Sequence, residues 1–513
     1  MRVFNINKAM GYASSGVEYA QKYRRGILDG IPWVDDRYVF TDYMPTNPAA
    51  FAERLGFRPA QVLWIYDLVA GRETRPSTMT REAVIESLGP GVEVTQAGAD
   101  VTDAALPGTA VRHRIRTLDG GAVDRVETLV RDQVVRIEHY DATLGNVEHF
   151  HDGRLARRVF FTEDGRVAAE QFYRDREIAR TVITPASPLY ADAGAHRRPS
   201  SYRGDRVLEG RSQFFRFVFG RLLDRPSDVV IVDRALDVID GVYPVLGGRR
   251  LYSVVHAEHV DLARLDDGVL LWNNHYENVF TRPELVTGLI VSTERQKAVL
   301  ERQLAESGGD AGPAVVRIPV GTVAEPAAAP GYDRLAVVTA SRLADEKHVD
   351  VLIKAVAAAR RTVPGLRFDI YGEGDRQPLL TAIRDAHAEG FVRLMGHQDL
   401  RGVLGGYALY VSASTSEGFG LSLLEAIGEG LPIVGFDVDY GNRELVEPGV
   451  NGTLVPRASG GRDVDALAGA IAELLGSASL DDMRRQSLRK AEAYTVPRVR
   501  ELWEGLLREE PAC

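Results

Sequence analysis

The hydrophobic period changes twice along this chain, and that limits the folds open to it. Up to about residue 45 the order is a strand at Val3–Asn7, a Gly/Ser loop, a helix over 17–28 and a strand at Tyr38–Asp42. This opens a βαβ unit. From about 50 to 205, after a short helical piece (AERLGF), the period falls to two. The segments AVRHRIRTL, VDRVETLVRD and GRVAAEQFYRD alternate, and Asp-Gly pairs stand at Asp119-Gly120, Asp152-Gly153 and Asp164-Gly165. Alternation bounded by Asp-Gly predicts hairpins of an antiparallel sheet. A polar stretch at Ala195–Asp205 reads as the return linker.

From Phe214 the βα rhythm resumes, with apolar strands expected at Asp228–Asp233, Leu251–His256, Gly288–Ser292 and Val315–Pro319. Runs this apolar predict a parallel sheet covered on both faces. A Pro/Ala stretch over 323–333 marks a boundary. The last third repeats the rhythm, with strands at Leu335–Ala340, Arg367–Tyr371, Val392–Met395, Leu409–Ser412, Ile433–Phe436 and Thr453–Val455. Helices are expected at Val349–Arg361, Leu421–Gly430 and Pro497–Leu507. The fold class is therefore α/β: two open, Rossmann-like α/β domains, the first interrupted by an antiparallel β-rich domain. A ligand of such domains faces the carboxyl ends of their strands.

Composition removes several functions. No apolar run approaches the roughly 18 residues of a membrane span. The start, MRVFNINKAMGY, reads as a first strand rather than a signal peptide. The one cysteine, Cys513, excludes an internal disulfide, a cysteine-ligated zinc site and a core thiol nucleophile. A net charge of −10 without a basic run argues against nucleic-acid binding but leaves room for a local cationic pocket. Only six of the 62 basic residues are lysine, so a lysine inside a motif stands out.

Four motifs carry chemistry. In Ser416–Pro432, Glu417 and Glu425 stand eight apart, and Gly418 and Gly420 flank Phe419 between a strand and a helix. Glycines there let backbone N–H groups approach a ligand, and the helix N-terminus favours an anion. The two glutamates suit separate hydroxyl-bearing parts of one extended ligand. In Ala340–Val356, Arg342 and Lys347 follow a strand, which suits a diphosphate. Gly11–Ala20 places Gly11 and Gly16 at the first strand-to-helix turn without a full dinucleotide fingerprint. Val254–His259 places His256 at a strand end. His256, Glu258 and His259 cluster, but not at the helical spacing of a zinc site. Each motif also has a plain structural reading: a helix cap, a solvated loop, a satisfied core histidine. Asn-rich Leu271–Phe280, and Asp437, Tyr440, Asn442 and Glu444 near a further strand end, are unspecific polar candidates.

The series SRLADEKH, YGEGD, STSEGFGLSLLEA and GNRELVEPGVNG resembles the retaining glycosyltransferases of family four, with the GT-B fold. With GYASSGVEYAQKYR, VVHAEH, LWNNHYENVF and IVSTERQ, the chain looks like the accessory-secretion glycosyltransferase A subunits, which start O-glycosylation of serine-rich repeat adhesins. It is also similar to the poly(ribitol-phosphate) and poly(glycerol-phosphate) α-glycosyltransferases.

The resemblance implies an acceptor-side domain of residues 1–48 and 206–325, and an inserted acceptor- or partner-binding sheet of 49–205. It implies a UDP-sugar domain of 326–495 and a helix and tail of 496–513 crossing back to the N-terminal domain. It implies that Arg342 and Lys347 bind the donor diphosphate and Glu425 the ribose. Glu417, with backbone from Gly418 through Phe419 to Gly420, would hold the donor sugar, His256 would lie beside it, and Gly16 would approach donor and acceptor. His256, Glu417, Arg342 and Lys347 are the catalytic candidates. The implied co-substrate is UDP-GlcNAc or UDP-glucose, with no metal and no other cofactor. The implied acceptor is a serine-rich polypeptide, or alternatively a teichoic acid polymer. A non-catalytic homologue is an expected partner, homo-oligomers and contact with the inner membrane face are open, and the expected location is cytoplasmic. Two other readings are a non-catalytic substrate-binding homologue, which the intact donor motifs disfavour, and a dinucleotide-dependent oxidoreductase, which lacks its fingerprint.

Overall fold

The computed structural model describes residues 1–10, 16–118, 120–191, 206–266, 268–307, 312–327, 329, 331–457 and 462–509. Gly11, Asp119 and the expected linker at Ala195–Asp205 lie outside these residues. The chain divides into two compact units. One holds Met1–Arg25 and Pro32–Ser253; the other holds Gly26–Ile31 and Val254–Cys513.

The first unit begins as the sequence predicts. Strands Arg2–Asn7 and Asp35–Phe40 pair in parallel, joined by the helix Gly16–Leu28. On its other side the first strand pairs with Val229–Val232, which pairs with Arg250–Val255, again in parallel. Phe4, Ile6, Val39, Val230 and Val232 are buried, the two-sided cover that such apolar runs demand. A short strand at Val62–Trp64 extends this sheet in parallel beside Asp35–Phe40. Its three residues are too few to show a period.

The period-two region forms one antiparallel sheet of ten strands. Each strand from Glu93–Gly98 to Arg206–Glu209 pairs with its neighbour in sequence. Asp152-Gly153 makes a turn with φ of 49° and 70°. Two further turns lack glycine: Arg131-Asp132 (50°, 63°) and Asp175-Arg176 (50°, 71°). Two-residue hairpin turns of type I′ need positive φ at both central residues, and aspartate tolerates it better than most side chains. The helix Arg81–Ser87, capped by the Thr80 hydroxyl accepting from the Ala83 N–H, packs Val84 against Ala104, Ile115, Val123 and Val126.

The second unit contains the parallel pair Gly288–Val291 and Ala314–Arg317 and a six-stranded parallel sheet. The sheet runs, edge to edge, Val392–Gly396, Arg367–Tyr371, Asp333–Ala340, Tyr407–Ser412, Ile433–Phe436 and Gly452–Val455. In chain order that is 3-2-1-4-5-6, the Rossmann arrangement. Its order reverses between Asp333–Ala340 and Tyr407–Ser412. The helix Val349–Ala359 buries Leu352, Ile353 and Val356 against the sheet, and Leu421–Gly428 buries Leu423, Leu424 and Ile427. No helix among the described residues is long and apolar enough to cross a membrane.

Candidate active site

The loops that leave the two strands at the reversal are Ser341–His348 and Ala413–Gly420. Open α/β sheets bind ligands at this place. Lys347 ends a short 3-10 turn, Asp345–Lys347, before the helix that starts at Val349. Its Nζ lies 2.5 Å from Glu417 Oε1, and both side chains are mostly buried. The structure thus brings together one cation and one carboxylate from two separate motifs. Arg342 sits on the same loop as Lys347, is exposed, and pairs with Glu346 at 2.8 Å.

Glycines let these loops lie on one another. The Gly372 backbone passes so close to the Ser341 carbonyl that a Cβ would sit 1.8 Å from that oxygen. Gly374 does the same at Leu343, whose N–H donates to the Glu373 carbonyl at 2.8 Å. The YGEGD motif therefore buttresses the Arg342 loop.

Gly418 meets a different segment. A Cβ there would lie 2.0 Å from the His256 carbonyl oxygen. His256 directly follows the strand Arg250–Val255, and its N–H donates to the Tyr276 hydroxyl at 3.1 Å. The Ala257 N–H donates to the same oxygen at 3.2 Å, and Gln296 Nε2 donates to the Ala257 carbonyl at 2.8 Å. Tyr276 comes from the Asn-rich segment, so one of the unspecific polar candidates supports the His256 backbone.

Phe419 turns inward: its ring is buried in the core, 5.8 Å from that of Tyr494, and only its backbone faces the loop. Gly420 caps the next helix with φ of 84°, a left-handed value that suits glycine. Glu425 is the fifth residue of that helix and is exposed. Gly16 is the first residue of its helix in the other unit, and among the described residues no atom lies within 4 Å of a Cβ built there.

His259 has a structural place. It is fully buried, and its Nε2 lies 2.7 Å from Gln303 Oε1. Glu258 Oε1 is 3.6 Å from Nδ1, too far for a hydrogen bond. Among the described residues no group of three or more His, Cys, Asp or Glu side chains is placed to hold a metal. Burial lowers the His259 imidazole to about 4. The unfolded chain takes up that proton near pH 6.5, so stability falls as pH drops from about 6.5 to about 4. The expected cost is about 3 kcal/mol across the window. Thermal melts of His259→Gln against pH should show a flatter acid limb than the parent, whatever the absolute stability of the variant.

The loop after Ile433–Phe436 closes the group. Gly441 N–H donates to the Glu417 carbonyl at 3.0 Å, and a Cβ on Gly441 would lie 2.2 Å from the Phe419 carbonyl oxygen. Tyr440 adopts φ 71°, ψ −100°, and its hydroxyl donates to Glu258 Oε1 at 2.8 Å. In the sequence Tyr440 is only a polar residue near a strand end. Its one signal there is a tyrosine next to a glycine in GFDVDYGN.

Comparison with known proteins fits this arrangement. A family described as glycosyl transferases group 1 matches residues 334–477, the six-stranded domain. The UDP-N-acetylglucosamine–peptide N-acetylglucosaminyltransferase GtfA subunit of Streptococcus parasanguinis is 33% identical, over 99% of both chains. The crystal structure of the pneumococcal O-GlcNAc transferase GtfA in complex with UDP and GlcNAc superposes with a TM-score of 0.89. It is 32% identical and covers 99% of this chain and 98% of that one. A crystal structure of a GtfA/B complex gives a TM-score of 0.86 at 33% identity, over 99% of both chains. With such identity along the whole of both chains, this protein belongs to the GtfA-subunit family of UDP-N-acetylglucosamine–peptide N-acetylglucosaminyltransferases, which have the GT-B fold.

Proposed function

We propose that this protein transfers N-acetylglucosamine from UDP-N-acetylglucosamine to serine or threonine hydroxyls of a serine-rich polypeptide, with retention of anomeric configuration. The observation that carries the reading is the reversal point of the six-stranded sheet, where the Lys347–Glu417 pair and Gly418, pressed on the His256 carbonyl, are gathered. Full-length likeness to peptide transferases supports the polypeptide acceptor.

Breaking the bond between sugar and diphosphate develops negative charge on UDP. Lys347 and Arg342 are cations held on the loop where that charge would form, and fixed charge needs no reorganisation at the moment of reaction. The helix N-terminus at Leu421 adds partial positive charge from its free N–H groups. Glu425, one turn into that helix, would accept from ribose hydroxyls in this scheme. His256 and the Gly418–Gly420 backbone border the space assigned to the sugar. In this scheme the residues supply the charge stabilisation and no metal takes part. Attack on the same face as the departing phosphate lets that phosphate help take the acceptor proton. A non-catalytic B-type homologue is the partner we propose for the ten-stranded sheet, by analogy with the GtfA/B complex.

The test is a panel of UDP-sugars offered with a serine-rich peptide or a polyol-phosphate polymer, alone and with a B-type subunit, read by mass spectrometry. The expected product is the peptide plus one or more N-acetylhexosamines, from UDP-N-acetylglucosamine alone. Glucosylation of the polymer with an unmodified peptide would overturn the reading.

A further inference from the structure

Tyr440 occupies a conformation that a tyrosine adopts only under constraint. Positive φ is uncommon outside glycine, and at ψ −100° it lies outside the small left-handed well as well. Such residues persist where their surroundings over-determine them, and they cluster at functional sites. Here the constraint is visible. Residue 440 forms a parallel bridge with Glu417, and the next residue donates to the Glu417 carbonyl. Gly441 then presses on Phe419. A glycine at 440 would fit this backbone with less strain. What a glycine lacks is reach.

The phenol reaches Glu258. Its hydroxyl donates to Oε1 at 2.8 Å, and the same oxygen accepts the His259 N–H at 3.0 Å. The Tyr440 ring is buried, and burial raises the Glu258 carboxyl above its usual range. The bond is therefore shielded from water, where a charged acceptor counts for more. Glu258 lies two residues after His256. Tyr440 itself is bridged to Glu417, which holds Lys347. One continuous set of contacts thus runs from the cation loop, through Glu417 and Tyr440, to the segment that carries His256.

We propose that Tyr440 is a positioning residue: its hydroxyl ties the loop behind Glu417 to the His256–Glu258 segment and so fixes the sugar-side residues against the diphosphate-side residues. It touches neither substrate nor reacting atoms. This rests on the donor assignment above.

The test compares Tyr440→Phe, Glu258→Gln, Glu258→Ala and the Tyr440→Phe/Glu258→Ala double variant with the parent. Losing a hydrogen bond to a charged group predicts a fall in kcat/KM for UDP-N-acetylglucosamine of about tenfold or more in Tyr440→Phe. Affinity for UDP alone, measured by calorimetry, should stay within about twofold, because the diphosphate and ribose contacts are untouched. Glu258→Gln keeps an acceptor and should retain most activity. Glu258→Ala should match Tyr440→Phe, with no further loss in the double variant. A merely structural role would lower UDP affinity and turnover together. Amide hydrogen exchange over 256–260 provides a readout independent of turnover, and exchange should quicken in Tyr440→Phe. Unchanged exchange with kcat/KM within about twofold overturns the proposal. Faster exchange in a protein whose parent transfers nothing from UDP-N-acetylglucosamine keeps the tether and overturns the donor reading.

Discussion

Lys347→Ala is expected to lower transfer from UDP-N-acetylglucosamine by roughly 10²–10³-fold, or about 2.7–4 kcal/mol of transition-state stabilisation. The reason is position. Lys347 is mostly buried at the reversal point of the sheet, where a charge acts through less water than on the surface. Its ammonium is held by Glu417 at 2.5 Å, so its direction is set before a ligand arrives. Removing it also leaves a mostly buried carboxylate without its cation, which is unfavourable by itself. Lys347→Ala/Glu417→Gln separates the two effects. If orphaning Glu417 were the whole cause, the double variant would recover the affinity for UDP, which the sugar contact of Glu417 does not touch; if the ammonium acts on the diphosphate, it would not. Steady-state kinetics with calorimetry of UDP binding measures both. Unchanged turnover and UDP affinity in Lys347→Ala would show that the cation has no part in the reaction.

Gly418→Ala should be as damaging through a different route. Its Cβ would lie 2.0 Å from the His256 carbonyl oxygen and 2.9 Å from the carbonyl carbon. Both atoms are backbone, so no side chain can swing aside. Either the loop Glu417–Gly420 or the segment after Arg250–Val255 must move by an ångström or more. Both carry residues assigned to the donor sugar, and a shift of about 1 Å at reacting groups costs roughly 100-fold in rate. Overpacking also destabilises, by about 1–3 kcal/mol. The expected result is a folded protein with a lower melting temperature, roughly 100-fold less transfer, and UDP affinity reduced far less than turnover. Gly469→Ala is the contrasting control, because open space surrounds that position inside the helix Arg462–Gly476, away from the site loops. Near-normal transfer in Gly418→Ala would mean that the two segments need not meet during the reaction.

Much of the fold was legible because strand and helix patterning is local. The strand Ile433–Phe436 falls where its apolar run predicts, and so does Arg367–Tyr371. The hairpin turns at Arg131-Asp132 and Asp175-Arg176 are harder to read, since Asp132 and Arg176 stand where Asp152-Gly153 has its glycine. The strand Val62–Trp64 was invisible because three residues define no period. Among site residues, Arg342, Lys347, Glu417 and Glu425 stood out by charge and spacing beside apolar strands. Tyr276, Gln296 and Tyr440 did not. Their roles at the site are hydrogen bonds to positions 19 to 182 residues away in sequence, in pairs such as Tyr440–Glu258, Gln296–Ala257 and Tyr276–Ala257.

The sequence alone determined the alternation of textures, the order of the elements and which loops are rich in glycine and charge, because period and turn chemistry are local properties of the chain. It could not show that Lys347 meets Glu417, seventy residues on, that Phe419 turns into the core while its neighbours stay at the surface, or that Gly418 is required by a carbonyl at residue 256. The first follows from strand order in the six-stranded sheet, the other two from packing. Only the order 3-2-1-4-5-6 sets the loops after the first and fourth strands side by side, and only close backbone packing decides which glycines have no alternative.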